Sequence, residues 1–230
     1  MTWIKICGIT NLEDGLTAVE AGADALGFVF YEKSPRYIDL ETARKIIAKL
    51  PNTVEKVGVF ADESGGQIQK TTDRVGLTGV QLHVDVSSPG DKTPSNVEPC
   101  AQVKRYIAVP VMHFFDDQGQ FDGFAQFNED VKAGELVAGI FLDSGTPQQP
   151  GGTGKVFDWA KAAPLVESIS KRMNVVVAGG LTPGNVAEAM RILKPWGVDV
   201  SSGVEAKPGK KDSEKVRAFI AAVRQADKST

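Results

Sequence analysis

The chain of 230 residues is 42% apolar and carries a formal charge of −3. No apolar run approaches the roughly 18 residues of a membrane-spanning helix, and the acidic balance speaks against general nucleic-acid binding, which rests on many Lys/Arg–phosphate contacts. Residues 1–230 suit one α/β barrel built on a single core. The opening Met-Thr-Trp-Ile-Lys-Ile-Cys lacks a basic region followed by an apolar run, so no secretory signal is expected and a cytoplasmic location is.

Apolar strand-like runs alternate with helix-like runs along the chain. Trp3–Cys7 reads as a first strand. Thr10 or Asn11 can cap the helix that follows, with Leu12, Leu16 and Val19 on one face. Ala25–Phe30 is a second strand, and Leu40, Ala43, Ile47 and Leu50 recur at helical spacing until Pro51. Val54–Phe60 is a third strand, Gln67–Val75 a weak helix and Gly79–His83 a fourth strand. Val84–Pro99 is polar, rich in Pro and Ser, and reads as a loop.

Tyr106–His113 is a fifth strand, with Pro110 a blemish because proline cannot donate to a ladder. Phe121–Asp130 suggests a short helix and Val137–Leu142 a sixth strand. Phe157–Ser170 is helical but interrupted by Pro164, and Asn174–Ala178 is a seventh strand. Thr182 caps the next helix and Pro183 opens it. Val198–Val200 is an eighth strand, and Asp212 or Ser213 starts a last helix striped by Val216, Phe219, Ile220 and Val223. Near-continuous apolar strands separated by helices imply a parallel sheet covered by helices. Eight such units in this length favour a closed (β/α)₈ barrel forming a single domain.

Two cysteines (Cys7, Cys100) and two histidines (His83, His113) lack the paired spacing of a zinc site, so no metal is expected. A disulfide is not expected either. Active sites of such barrels lie at the C-terminal strand ends. Those ends carry Cys7, the Tyr31–Tyr37 loop with Lys33 and Arg36, Asp62, His83, His113, Asp143, Gly179-Gly180, and Asp199 followed by Ser201-Ser202-Gly203. One thiol, several carboxylates and two imidazoles thus meet on one rim, together with an anion site. Loops after strands seven and eight often bind phosphate through backbone N–H groups. Gly179, Gly180, Ser201, Ser202 and Gly203 occupy those loops. Gly151-Gly152-Thr153-Gly154-Lys155 adds a third glycine-rich loop containing Gly152 and Gly154. It is neither a Walker A motif nor a dinucleotide fingerprint. The plainer reading of these glycines is tight turns.

Lys5-Ile6-Cys7-Gly8-Ile9-Thr10, Gly22–Phe30 with Ser34-Pro35-Arg36-Tyr37, Val57–Phe60 and Val80-Gln81-Leu82-His83 resemble segments of the phosphoribosylanthranilate isomerases. So do Leu142-Asp143, Gly151–Lys155 with Phe157-Asp158-Trp159, Gly179-Gly180-Leu181 and Val198–Glu205. Each motif alone is weak, but the ordered set spans nearly the whole chain. The resemblance implies a cofactor-independent aldose–ketose isomerase of tryptophan biosynthesis. Its reaction is an Amadori rearrangement of N-(5'-phosphoribosyl)anthranilate to 1-(o-carboxyphenylamino)-1-deoxyribulose 5-phosphate. The partner implied is this small phosphorylated aminosugar, with no nucleic acid and no membrane, and with the chain a monomer or homodimer.

By resemblance Cys7 matches the general base and Asp143 the general acid. A free thiol has a pKa near 8.5, so the base role needs some thiolate. The acid must keep a proton, which burial or a neighbouring charge favours. Arg36 matches the position that pairs with the anthranilate carboxylate, a task suited to its planar fork. Asp199 matches a carboxylate that orients the sugar or assists proton transfer, and could equally be a structural loop ligand. His83 is a substrate contact or a satisfied core histidine. Cys100 reads as structural, and His113 belongs to no motif. Lys207-Pro208-Gly209-Lys210-Lys211 reads as a solvated turn, or as a source of positive potential near the phosphate.

Two loops depart from the family pattern. Val84-Asp85 stands where glycine and an acidic residue are usual, and Ser144–Pro150 is individual. Both bear on closure and affinity rather than reaction type. Two other readings compete. One is a histidine-pathway aminosugar isomerase, which resembles a pair of aspartates; Cys7 in place of the first argues against it. The other is a non-catalytic sugar-phosphate or protein binder, which has no need for both a base and an acid.

Overall fold

The computed structural model describes residues 1–61, 63–83, 103–111, 137–144 and 156–229. Eight strands close into a parallel barrel in chain order. They are β1 (Trp3–Cys7), β2 (Ala25–Val29), β3 (Glu55–Phe60), β4 (Gly79–His83), β5 (Lys104–Pro110), β6 (Val137–Asp143), β7 (Asn174–Val177) and β8 (Gly197–Val200). Closure comes from β8 pairing with β1, with Asp199 in register with Lys5. Among the described residues the helices are α1 (Leu12–Ala21), α2 (Leu40–Ile47), α3 (Gly65–Val75), α4 (Trp159–Ser170), α5 (Val186–Leu193) and α6 (Ser213–Asp227). None of them is long and apolar enough to cross a membrane. The suggested helix Phe121–Asp130, the Val84–Pro99 loop, Asp62, Cys100 and His113 lie outside the described residues.

The strands are apolar on both faces because each face meets a different core. Alternate residues such as Leu26 and Phe28 point outwards and pack under the helices with Ile4, Ile6, Val198 and the α6 stripe. The intervening positions fill the barrel itself, where Ala25, Val57, Tyr106, Ala108, Phe141, Val176 and Ala178 form an inner cluster. Cys7, Val29 and Val59 lie above it with Tyr31. This period of two is the parity of a strand, and it decides which polar residues face the barrel interior.

Several helix ends follow directly from the sequence. The Asn11 side chain accepts from the Asp14 N–H at 2.9 Å, and Asp212 accepts from the Glu214 and Lys215 N–H groups. Each satisfies donors that the first helical turn leaves without partners. Two expectations need correction. The regular helix α5 starts at Val186, not Pro183. A preceding turn carries Pro183, and the Thr182 carbonyl accepts from both Asn185 and Val186. Helix α4 also runs through Pro164 without interruption. Pro164 and Ala160 lie on the exposed face, where water can take the carbonyl that proline leaves unpaired. Pro110 is no blemish, since it closes β5 opposite Asp143 rather than interrupting it.

After β8 the chain makes a 3₁₀ turn (Ser202–Val204) and a short antiparallel hairpin, β9 (Glu205–Lys207) with β10 (Lys210–Lys211). Gly209 has φ +77° in its turn. The Lys207–Lys211 run is therefore not simply a solvated turn. Lys211 is buried and its Nζ lies 3.0 Å from Glu205, while Lys210 pairs with Asp14 at 2.8 Å. The anions of α1 and β9 draw these lysines inwards.

Candidate active site

A cavity of about 470 Å³ opens at the C-terminal ends of the strands. Cys7, Arg36, His83, Asp143, Asp199 and Ser201 all line it. Residues drawn from β1, the β2–α2 loop, β4, β6 and β8 thus meet in one place. Cys7 and Asp143 close their strands and are nearly buried. Gly27 makes room for the thiol, since a Cβ there would stand 2.7 Å from the Cys7 Sγ.

Burial pushes the Cys7 thiol up from its ordinary range, and the Lys5 ammonium pulls it back only in part. Lys5 is wholly buried and its Nζ sits 3.0 Å from Asp199 Oδ1. Burial would lower the ammonium's pKa, but attraction to Asp199 and Cys7 outweighs it and holds the charge.

His83 is held down to about 4 by burial, then by repulsion from Lys5. The ring is therefore neutral at neutral pH, and its Nε2 stands 3.4 Å from the Gln81 amide nitrogen. Gln81 faces the same cavity, and its buried Oε1 has no hydrogen-bond partner among the described residues. An imidazole depressed in the fold takes up its proton first in the unfolded chain. Stability is thus expected to fall as pH drops from about 6.5 towards about 4, by up to roughly 3 kcal/mol. His83→Asn should flatten this part of the pH dependence of the urea midpoint. An unchanged slope would assign the effect to other groups.

Arg36 lies across Gly8, where a Cβ would stand 2.7 Å from the Arg36 Cδ. Its Nε and Nη2 donate to the two Glu205 carboxylate oxygens at 2.8 Å each. This is the bidentate geometry favoured by the guanidinium fork. The carboxylate on that edge belongs to the protein, and Nη1 has no hydrogen-bond partner among the described residues. Glu205 also accepts from Lys211 and from the Gly209 N–H. Burial would raise the Glu205 carboxyl, but Arg36 and Lys211 hold it below the usual carboxylate range. Its contribution to stability is therefore present above the unfolded value and lost as pH falls through the lower folded one.

Glu205→Gln strands the buried Lys211 and the half-buried Arg36, and is expected to cost about 3 kcal/mol in urea denaturation at neutral pH. It should also raise KM more than it lowers kcat, because Arg36 loses its anchor. Parent-like stability would dismiss Glu205 as the anchor.

The anion loops lie beside this cavity. Gly179 and Gly180 have φ +83° and +64°, and their N–H groups have no hydrogen-bond partner among the described residues. Gly203 packs directly on the Leu181 backbone, and Gly179 on Ser144. Side chains at either glycine would force the loops apart. Of the phosphate candidates among the described residues only Ser201 lines the cavity, and its hydroxyl donates to the Cys7 carbonyl at 3.1 Å. Gly152 and Gly154 lie outside the described residues.

The model of the N-(5'-phosphoribosyl)anthranilate (PRA) isomerase family matches residues 4–222. The chain belongs to this family. It is 46% identical over 225 residues to the N-(5'-phosphoribosyl)anthranilate isomerase of Geobacter sp. strain M21, covering 98% of this chain and 99% of that protein. The phosphoribosyl anthranilate isomerase structure from Thermotoga maritima superposes with a TM-score of 0.79 at 40% identity, covering 98% and 100% of the two chains. A structure of the enzyme in complex with reduced 1-(o-carboxyphenylamino)-1-deoxyribulose 5-phosphate aligns at TM-score 0.76 and 38% identity, again over 98% and 100%. This isomerase is thus a (β/α)₈-barrel enzyme like its relatives.

Sequence reasoning gave no role to Lys5, Gln81 or Glu205, and took Lys211 only as part of a solvated turn or a source of positive potential. For Lys5 and Gln81 a signal was available. Each is a polar residue at an inward position of an otherwise apolar strand, two residues before another site residue. Glu205 and Lys211 meet only through the β9–β10 hairpin, which strand and helix periodicity does not reveal.

Proposed function

We propose that this isomerase carries out the Amadori rearrangement of N-(5'-phosphoribosyl)anthranilate with Cys7 as base and Asp143 as acid. The observation that carries the reading is the single cavity lined by Cys7, Asp143, Arg36 and Asp199. Asp143 gives a proton to the furanose ring oxygen, the C1–O bond breaks, and a Schiff base forms with the anthranilate nitrogen. Cys7 then takes the C2 proton, leaving an enolamine. The Cys7 thiol returns a proton to C1 while the 2-hydroxyl gives its proton up to the Asp143 carboxylate, which forms the C2 ketone of the aminoketose and restores both groups. The proton count balances and no hydride moves, so the chemistry calls for no redox cofactor.

Arg36 keeps one guanidinium edge on Glu205 and offers the Nη1 side to the anthranilate carboxylate. Asp199, neutral His83 and the open Gln81 acceptor suit the sugar hydroxyls. The Gly179-Gly180 and Ser201–Gly203 loops supply N–H donors for the phosphate. A cytoplasmic location fits the need for a reduced Cys7 thiol, since thiols are kept reduced there.

The test is the fluorescence change on adding freshly made phosphoribosylanthranilate to the protein in metal-free buffer. Rapid turnover is expected. Its absence, with binding of a reduced product analogue intact, would sink the assignment and favour another aminosugar phosphate.

A further inference from the structure

Lys5 has no part in the chemistry assigned above, yet it is wholly buried in the middle of the barrel. It stands two residues before Cys7 on β1, so both side chains point inwards. Asp199 holds its Nζ at 3.0 Å, and the Phe141 ring lies beneath it with its centroid 5.0 Å away. Towards β2 both side chains crowd the same glycine. A Cβ on Gly27 would be 2.7 Å from the Cys7 Sγ and 3.1 Å from the Lys5 Cε. Sulfur and ammonium are therefore neighbours across a gap that only glycine leaves open.

A buried ammonium costs several kcal/mol in desolvation, and a well-packed apolar residue often replaces a buried ion pair at no loss of stability. Barrel packing gives no reason for a lysine here, whereas an acid–base thiol does. We propose that Lys5 is a positioning residue for the reaction, its Asp199-anchored ammonium holding the thiolate with which Cys7 removes the C2 proton. This rests on the reading of Cys7 as base.

Other charges face the thiol. Asp199 from β8 opposes the thiolate, Lys211 from β10 supports it, and Lys5 is the strongest of the three. Asp143 from β6, Arg36 and Lys33 from the β2–α2 loop, and Tyr31 line the same cavity. His83 from β4 lines it too and is neutral at working pH.

The test reads the thiol itself. In the full chain, with Cys100→Ser removing the second thiol, alkylation of Cys7 by iodoacetamide is followed against pH. Asp199→Asn is compared with Lys5→Met/Asp199→Asn, so that neither variant strands a buried carboxylate. Loss of Lys5 is expected to slow alkylation at neutral pH by about tenfold and to move its midpoint up by about one pH unit. Equal curves would overturn the inference. A second comparison stands if the double variant does not fold. Asp199→Asn alone should speed alkylation relative to the parent, because the ammonium then faces the thiol unopposed; equal or slower alkylation would overturn the inference as well. The pH–rate profiles separate the two readings. A moved thiol with an unmoved profile would uphold the hold of Lys5 on Cys7 and remove Cys7 from the base's role.

Discussion

Cys7→Ala is expected to fold, to bind a reduced product analogue about as tightly as the parent, and to lose roughly 10²–10⁴ in kcat. Only Sγ is removed, from a small cluster with Val29 and Val59, so the stability cost should stay near about 1 kcal/mol. The binding contacts proposed at Arg36, Asp199 and the anion loops are untouched. What disappears is the only thiol among the described residues, and with it the proposed acceptor of the C2 proton. Loss in kcat with little change in analogue binding is the signature of a group that acts in the transition state. Retention of more than about a tenth of parental kcat would exclude Cys7 as the base. Equal losses in kcat and analogue affinity would recast it as a packing residue.

The fold was largely legible because a parallel barrel repeats one simple instruction. Strands such as Ala25–Val29 must be apolar on both faces, and helices such as Ser213–Asp227 on one stripe. Closure also puts every strand end on one rim, so Cys7, His83, Asp143 and Asp199 could be brought together without contact information. Charge pairing was not legible in the same way. Arg36 reads as a free fork for a ligand carboxylate, yet Glu205 occupies one edge of it. Their meeting depends on how the hairpin after β8 folds back towards the β2–α2 loop. Burial had the same effect on the lysines. In sequence Lys5 is one polar residue of an apolar strand and Lys211 belongs to a run that reads as a solvated turn, while in the barrel each is buried with an anionic partner. The α5 boundary slipped because Pro183 sits in a turn that precedes the regular helix.

The second large effect belongs to Asp143→Asn, expected to lose roughly 10²–10⁴ in kcat while keeping fold and analogue binding. The substitution preserves the shape of a nearly buried residue at the end of β6 but removes the proton that the proposed acid would donate. Its pH dependence is more telling than its size. On the proposed mechanism, activity in the parent needs Asp143 protonated and Cys7 deprotonated at once, so a bell-shaped profile whose limbs belong to the pair is expected. With asparagine in place, the residual rate depends only on the thiolate. The bell should become a curve that rises with pH and levels off above the thiol's pKa, which burial pushes up. Cys7→Ala should do the reverse, its residual rate falling as the acid loses its proton. Opposite slopes in the two variants would fix the roles without reference to any relative. A bell that survives in Asp143→Asn would mean that another group donates the proton to the ring oxygen, and would withdraw Asp143 from the mechanism.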